Sequence, residues 1–259
     1  MQYFVLQFQI FFLIMVRLAA MFMVAPFFSS GVIPLRIKGV VAFLLTLVMF
    51  PIVSSMGYEP TTNMGLFAVM VTQEIIIGLF IGFLVAVIFS AFQLAGQFFS
   101  VQIGFGINEV IDPLAQVSIP LIGQFKNLIA LLLFLAMNGH HVLIRAIYRS
   151  YELAPAFSLK GASSEGFMKF LMYAFSGMFV IALKIALPVV AIIFLITISL
   201  GILAKAAPQM NIMMLGFPFK IAVAFGMLVM VTPLVVRIMN VSIERTFKFI
   251  STVVHQWPV

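Results

Sequence analysis

The sequence predicts an all-α integral membrane protein that is not a simple up-and-down bundle. Three observations carry that prediction. Of 259 residues, 64% are hydrophobic and only 8% are charged, with a mean hydropathy of +1.26. Soluble domains run near one quarter charged. Residues 39–58, 75–108, 127–144 and 185–204 hold no Asp, Glu, Lys or Arg. Each run reaches about the 18 residues that argue for a membrane span. The third observation is a conflict in the placement of basic residues, described below.

Six apolar segments follow along the chain, at about 4–28, 37–57, 64–100, 121–145, 167–204 and 218–250. The first lacks a basic leader and runs past Arg17 to Phe28, so it reads as a retained helix rather than a cleaved signal. Turn residues punctuate the connections: Ser29-Ser30-Gly31 with Pro34, Gly57 to Asn63 with Pro60, Gly104 to Pro120, and Ser150 to Gly166. None divides the chain into parts with separate cores, so 1–259 reads as one membrane domain.

Two segments are too long. The uncharged run 75–108 would extend about 50 Å as one helix, against a hydrocarbon core of roughly 30 Å. Segment 167–204 has the same excess and contains Pro188, while Pro233 interrupts the last segment. These are either hairpins too short to cross twice or long kinked helices that leave the bilayer. The segment Leu200 to Ile221 adds a proline, a Gln-Met-Asn step and a Gly-Phe-Pro turn inside an apolar stretch. Irregular backbone at such depth must be buried in protein or line a cavity.

Basic residues conflict with simple alternation. Arg36 and Lys38 place loop 29–38 in the cytoplasm and Glu59 places the next loop outside. Alternation then puts loop 145–169 outside, although it carries Arg145, Arg149, Lys160 and Lys169. Not every helix spans.

Arg17, Glu74, Lys184, Lys220 and Arg237 lie within or at the edges of apolar segments. Each costs about 2.5–3.5 kcal/mol at a span centre unless paired, wetted or snorkelled. One carboxylate cannot offset four cations, so their partners are expected among carbonyl groups, water or other subunits. For Arg17 and Lys184 other subunits are the favoured source. Gly78-Leu-Phe-Ile-Gly82 supplies a small-residue pair at helical spacing for close helix contact.

The net charge of +7 is dispersed, with no run of five basic residues, which argues for membrane topology and against nucleic acid. Cysteine is absent, which excludes disulfides, thiolate metal sites and cysteine nucleophiles. No phosphate-binding loop, zinc-protease motif or nucleophile elbow occurs. His140 and His141 are adjacent, point to different faces and lack a spaced carboxylate, so no metal is expected. The chain reads as a non-enzyme without a cofactor. Gly104 to Pro120 mixes apolar and polar residues between membrane segments and suits a re-entrant gate. Met210, Met213 and Met214 flank Asn211, and flexible Met side chains suit a deformable seal.

Leu203-Ala-Lys-Ala-Ala-Pro208-Gln209-Met210-Asn211, followed by Leu215-Gly216-Phe-Pro218-Phe-Lys220, resembles the hallmark of the R component of the bacterial type III export gate. The family includes the flagellar R protein and the T component of injectisomes. Other matching pieces appear in order: Arg17 through Ala25-Pro26, Pro34 with Lys38, Glu74 with Gly78 and Gly82, Ala95-Gly96, Asn138-Gly139-His140, and Leu187-Pro188-Val189. Ile198-Ser199 stands where many relatives keep Asn or Asp.

The resemblance implies kinked helical hairpins within a helical hetero-oligomeric export gate. One copy of this chain would join several P and Q subunits, with the B-type switch subunit nearby and unfolded flagellar proteins in transit. It implies a P-like part over roughly 1–160 and a Q-like part over roughly 161–259. It further implies that Gly104, Phe105, Gly106, Ile107, Asn108, Glu109, Val110, Ile111, Asp112 and Pro113 plug the pore. The location implied is the bacterial inner membrane at the flagellar basal body. An injectisome gate subunit is the nearest alternative, and a small-solute secondary transporter with broken helices a more distant one.

Overall fold

The structure is a computed structural model, and it describes residues 2–29, 31, 33–56, 60–61, 63–104, 121–153, 164–209 and 212–255. Among these residues every regular element is a helix. They are α1 (Gln2–Val24), α2 (Pro26–Ser29), α3 (Leu35–Ser55), α4 (Met64–Ile103), α5 (Leu121–Ala136), α6 (Gly139–Leu153), α7 (Ser164–Ala206) and α8 (Ile212–His255). The all-α membrane reading holds: five helices are long and apolar enough to cross a bilayer. In hydrocarbon a helix pairs its own backbone polar groups, which is why such a sequence adopts this form.

Local chemistry sets the helix ends. Pro34 stands just before α3 in an extended conformation, and its carbonyl accepts from the Ile37 and Lys38 amides at 3.0 and 3.2 Å. Asn63 caps α4, its Oδ1 accepting from the Gly65 and Leu66 amides at 2.9 and 3.3 Å. Gly104 closes α4 with φ +99°, a backbone shape that glycine adopts without strain. Asn138, at φ 55°, ends α5, and its carbonyl then receives the His141 and Val142 amides to start α6. Segment 121–145 of the sequence reading is therefore two helices with a joint at Met137-Asn138.

The over-long segments resolve as continuous helices: α4 has 40 residues, α7 has 43 and α8 has 44. At 1.5 Å per residue these run about 60–66 Å, roughly twice the hydrocarbon thickness. Pro188, Pro218 and Pro233 lie inside helices that continue through them.

The residues form two compact units. The first comprises Met1–Ile88, Phe134–Phe175 and Glu244–Val259, and the second Phe89–Leu133 and Ser176–Ile243. In the first, α1 buries Leu13, Ile14, Leu18 and Met21, and Phe11 sets its ring edge-on to Phe43 and Phe50 of α3. In the second, Phe92, Ala95 and Phe99 of α4 are buried, as are Ile185, Val189 and Ile193 of α7 and Met239 of α8.

Burial is uneven. In the most apolar 18-residue stretch of α4, 67% of the residues are buried within the chain, whereas the figures for α7 and α8 are 28% and 17%. Most residues of those stretches of α7 and α8 are thus left for lipid or for other protein.

Candidate functional site

The chain's densest polar chemistry lies inside the first unit, at the crossing of α1, α4 and α6. Arg17 occupies the inward stripe of α1 with Ile10, Ile14 and Met21, at helical spacing, and is 0% exposed. Glu74 heads the inward stripe of α4 that continues through Ile77, Ile81 and Leu84, and is 2% exposed. Tyr151 and Ser150 lie on the buried face of α6 with Leu143 and Ile147.

The guanidinium and carboxylate meet in a fork. Arg17 Nη2 donates to Glu74 Oε1 at 2.8 Å, and Arg17 Nε donates to Glu74 Oε2. Such a bidentate, charge-assisted pair is stronger and more directional than a neutral hydrogen bond. Arg17 Nη1 donates to Ser150 Oγ at 2.6 Å, and that hydroxyl donates onward to the Ile147 carbonyl at 2.6 Å. The Tyr151 hydroxyl donates to Glu74 Oε2 at 3.2 Å. Its ring lies under the guanidinium, with Arg17 Cζ 3.6 Å from the ring centroid. One buried cation therefore joins three helices that are far apart in sequence.

Two glycines make the crossing possible. A Cβ at Gly78 would collide with the backbone carbonyl oxygen of Arg17. A Cβ at Gly82 would stand 2.9 Å from the Met21 carbonyl oxygen and 3.3 Å from the Ala25 amide nitrogen. The Gly78-x-x-x-Gly82 pair is a seam between α1 and α4 of the same chain.

Arg17 departs from the expectation that its partner lies on another subunit: the partner is Glu74. Sequence spacing cannot show this, because the two residues are 57 positions apart. Ser150 and Tyr151 were missed altogether. The available signal was the two-faced pattern of 139–153, where Leu143, Ile147 and Tyr151 recur at helical spacing opposite Arg145 and Arg149.

The other predicted residues do not join this cluster. Lys184 and Arg237 are exposed on α7 and α8, and Lys220 is half-buried on α8. Gly104 is described, and the Phe217 ring stands 2.7 Å from where its Cβ would be. Phe105, Gly106, Ile107, Asn108, Glu109, Val110, Ile111, Asp112 and Pro113 lie outside the described residues, as do Met210 and Asn211. Pro208 and Gln209 form an exposed turn after α7. Gly216 is buried, with Leu200 Cδ1 2.9 Å from the position of a Cβ, while Pro218 is exposed.

Lys126 of α5, in the second unit, also escaped notice. It is 5% exposed, its Nζ has no hydrogen-bond partner, and it lies 3.2 Å from the centroid of the Phe99 ring. Among the described residues no group of three His, Cys, Asp or Glu could hold a metal ion. The Arg17 cluster offers no vacant ligand position, and its geometry is that of a structural clamp.

Comparison with known proteins places this architecture. The family model for bacterial export proteins, family 1, matches residues 8–246. The chain belongs to this family. It is 35% identical over 224 residues to the flagellar biosynthetic protein FliR of Bacillus subtilis (strain 168), covering 86% of this chain and 85% of that protein. The FliR protein of Borreliella burgdorferi is 31% identical over 207 residues, 79% of this chain and 75% of the relative. That of Escherichia coli (strain K12) is 27% identical over 246 residues, 95% and 92% respectively. The resemblance to the R component of the export gate, drawn from Pro208 to Pro218 and the pieces around it, holds across the chain.

Proposed function

We propose that this chain is a non-enzymatic gate subunit of the bacterial flagellar protein export apparatus, seated in the inner membrane at the basal body. It helps form and close the passage for unfolded flagellar proteins. The observation that carries the reading is 35% identity, along 86% of the chain, to a relative named as a flagellar biosynthetic protein. The exposed apolar faces of α7 and α8 support it: in their most apolar 18-residue stretches only 28% and 17% of the residues are buried, and such faces call for cover from other protein. The cover proposed is the P and Q subunits, several copies around one copy of this chain, with the B-type switch subunit against the assembly. In this reading residues 1–160 are the P-like part and 161–259 the Q-like part. The segment from Gly104 to Pro113 closes the pore, and Pro208 to Pro218 shape the end of the α7–α8 pair.

The test has two parts. Expressed in a Bacillus subtilis strain lacking its own FliR, together with P and Q subunits from its own source, the chain should restore swimming. Native mass measurement of what co-purifies should show several copies of two smaller hydrophobic proteins. Deleting residues 106–113 should let small solutes leak across the membrane. A chain that purifies alone as a folded monomer, or a deletion that leaks nothing, overturns the corresponding part.

A further inference from the structure

Helices α7 and α8 carry their charges in a pattern that the gate reading does not use. In α7, Lys184 and Lys205 bracket residues 185–204, which are uncharged. In α8, Lys220 and Arg237 bracket residues 221–236, also uncharged. At helical rise the brackets are about 32 Å and 26 Å apart, on either side of the roughly 30 Å of bilayer hydrocarbon. Pro208 and Gln209 turn the chain after α7, and Leu200 of α7 packs over Gly216 of α8. Lys205 and Lys220 therefore flank the turn end of a hairpin, with Lys184 and Arg237 toward its other end.

Burial agrees with this grouping. Lys184, Lys205 and Arg237 are exposed and Lys220 is half-buried. Between the brackets the outward side chains are uncharged and mostly apolar, such as Leu195 at 58% and Val229 at 76% exposure, and the exposed Ser199 and Thr232 donate their hydroxyls to the Leu195 and Leu228 carbonyls of their own helices. The described residues of the second unit include no Asp or Glu. Among the described residues no carboxylate of this unit meets the four cations, and long basic side chains at a hydrocarbon boundary extend toward lipid phosphates.

We propose that the hairpin meets membrane hydrocarbon over 185–204 and 221–236. Lys184 with Arg237 docks on the phosphates of one phospholipid leaflet, and Lys205 with Lys220 on those of the other. This placement stands independently of the gate reading, because it concerns the chain in lipid before any partner is added.

The absence of cysteine allows a direct test. Single cysteines at Leu183, Leu195, Ala206, Phe219 and Val229 are introduced into the full chain. Each variant is reconstituted alone in nanodiscs of phosphatidylglycerol and phosphatidylcholine, which leave both faces open. A charged maleimide should label Leu195→Cys and Val229→Cys about tenfold more slowly than the other three, because an apolar setting suppresses the thiolate. Comparable rates at all five positions would overturn the proposed slab. A second arm tests the phosphates: Lys184→Gln with Arg237→Gln should slow the labelling of Leu183→Cys by letting that end slide inward. Native mass spectrometry should show fewer retained phosphatidylglycerol molecules on the same variant. An unchanged Leu183→Cys rate with unchanged lipid retention means that the cations do not set the boundary, and assigns them to carboxylates of partner subunits instead.

Discussion

Replacing Arg17 alone, or Glu74 alone, should do more harm than replacing both. Arg17 is 0% exposed and Glu74 2%, so Arg17→Met strands a carboxylate and Glu74→Gln strands a guanidinium in a dry crossing of three helices. Removing one partner of a buried ion pair costs about 3–5 kcal/mol, most of it for the charge left behind. The pair itself contributes far less, because its attraction is largely offset by desolvation, so Arg17→Met with Glu74→Met should lie close to wild type. For a chain of this size about 4 kcal/mol corresponds to a fall of roughly 10 °C in Tm. The assay is loss of the monodisperse peak on size-exclusion chromatography after stepwise heating of the detergent-solubilised chain. Single variants within about 2 °C of wild type would refute the clamp. So would a double variant as unstable as the worse single one, since the loss would then come from packing and not from charge.

Three further outcomes follow from named contacts. Gly78→Ala should abolish accumulation of folded chain, because its methyl would collide with the Arg17 carbonyl oxygen, whereas Gly177→Ala meets open space and should gain about 0.5–1 kcal/mol; equal yields from the two would contradict this. Tyr151→Phe keeps the ring under Arg17 and removes the hydroxyl's bond to Glu74, so Tm should fall by the equivalent of about 1.5–3 kcal/mol, and an unchanged Tm would remove Tyr151 from the network. Lys126→Met deletes a buried ammonium that lacks a hydrogen-bond partner and should raise stability by about 1–3 kcal/mol; a drop in Tm would show that the contact with Phe99 outweighs the burial of the charge.

Much of the fold is legible as charge depletion. The uncharged runs 75–108 and 185–204 mark α4 and α7, because a bilayer excludes charge from a stretch long before it selects particular apolar residues. What the runs do not decide is whether 34 uncharged residues are one helix or two, since Gly96 and Gly104 satisfy either reading. The apolar reading ran unbroken through Asn138-Gly139, where one helix gives way to the next, and stopped at 145, while α6 runs to Leu153. That helix is two-faced, with Arg145, Arg149 and Glu152 on its outer side, so its mean hydropathy hides a buried stripe.

The candidate site was half legible. Arg17 and Glu74 stood out because charges are rare in such segments. Their pairing did not, because a contact across 57 residues leaves no local period. Ser150 and Tyr151 are ordinary residues in sequence, and only the crossing gives them a role. Treating the five charges as one unbalanced set also concealed a division of labour: Arg17 is neutralised indoors, whereas Lys184 and Arg237 remain on the outside.

The separation of Arg17 from Glu74 has a consequence for biosynthesis. At about 5–20 residues per second a ribosome needs roughly 3–11 s to add the 57 residues from position 18 through Glu74. Throughout that interval α1 has been made but its counter-ion has not. The first helix must wait in the insertion machinery, or at the lipid surface, until α4 emerges with its carboxylate. Slowing translation between codons 18 and 74 would prolong that wait and expose the nascent chain to proteolysis.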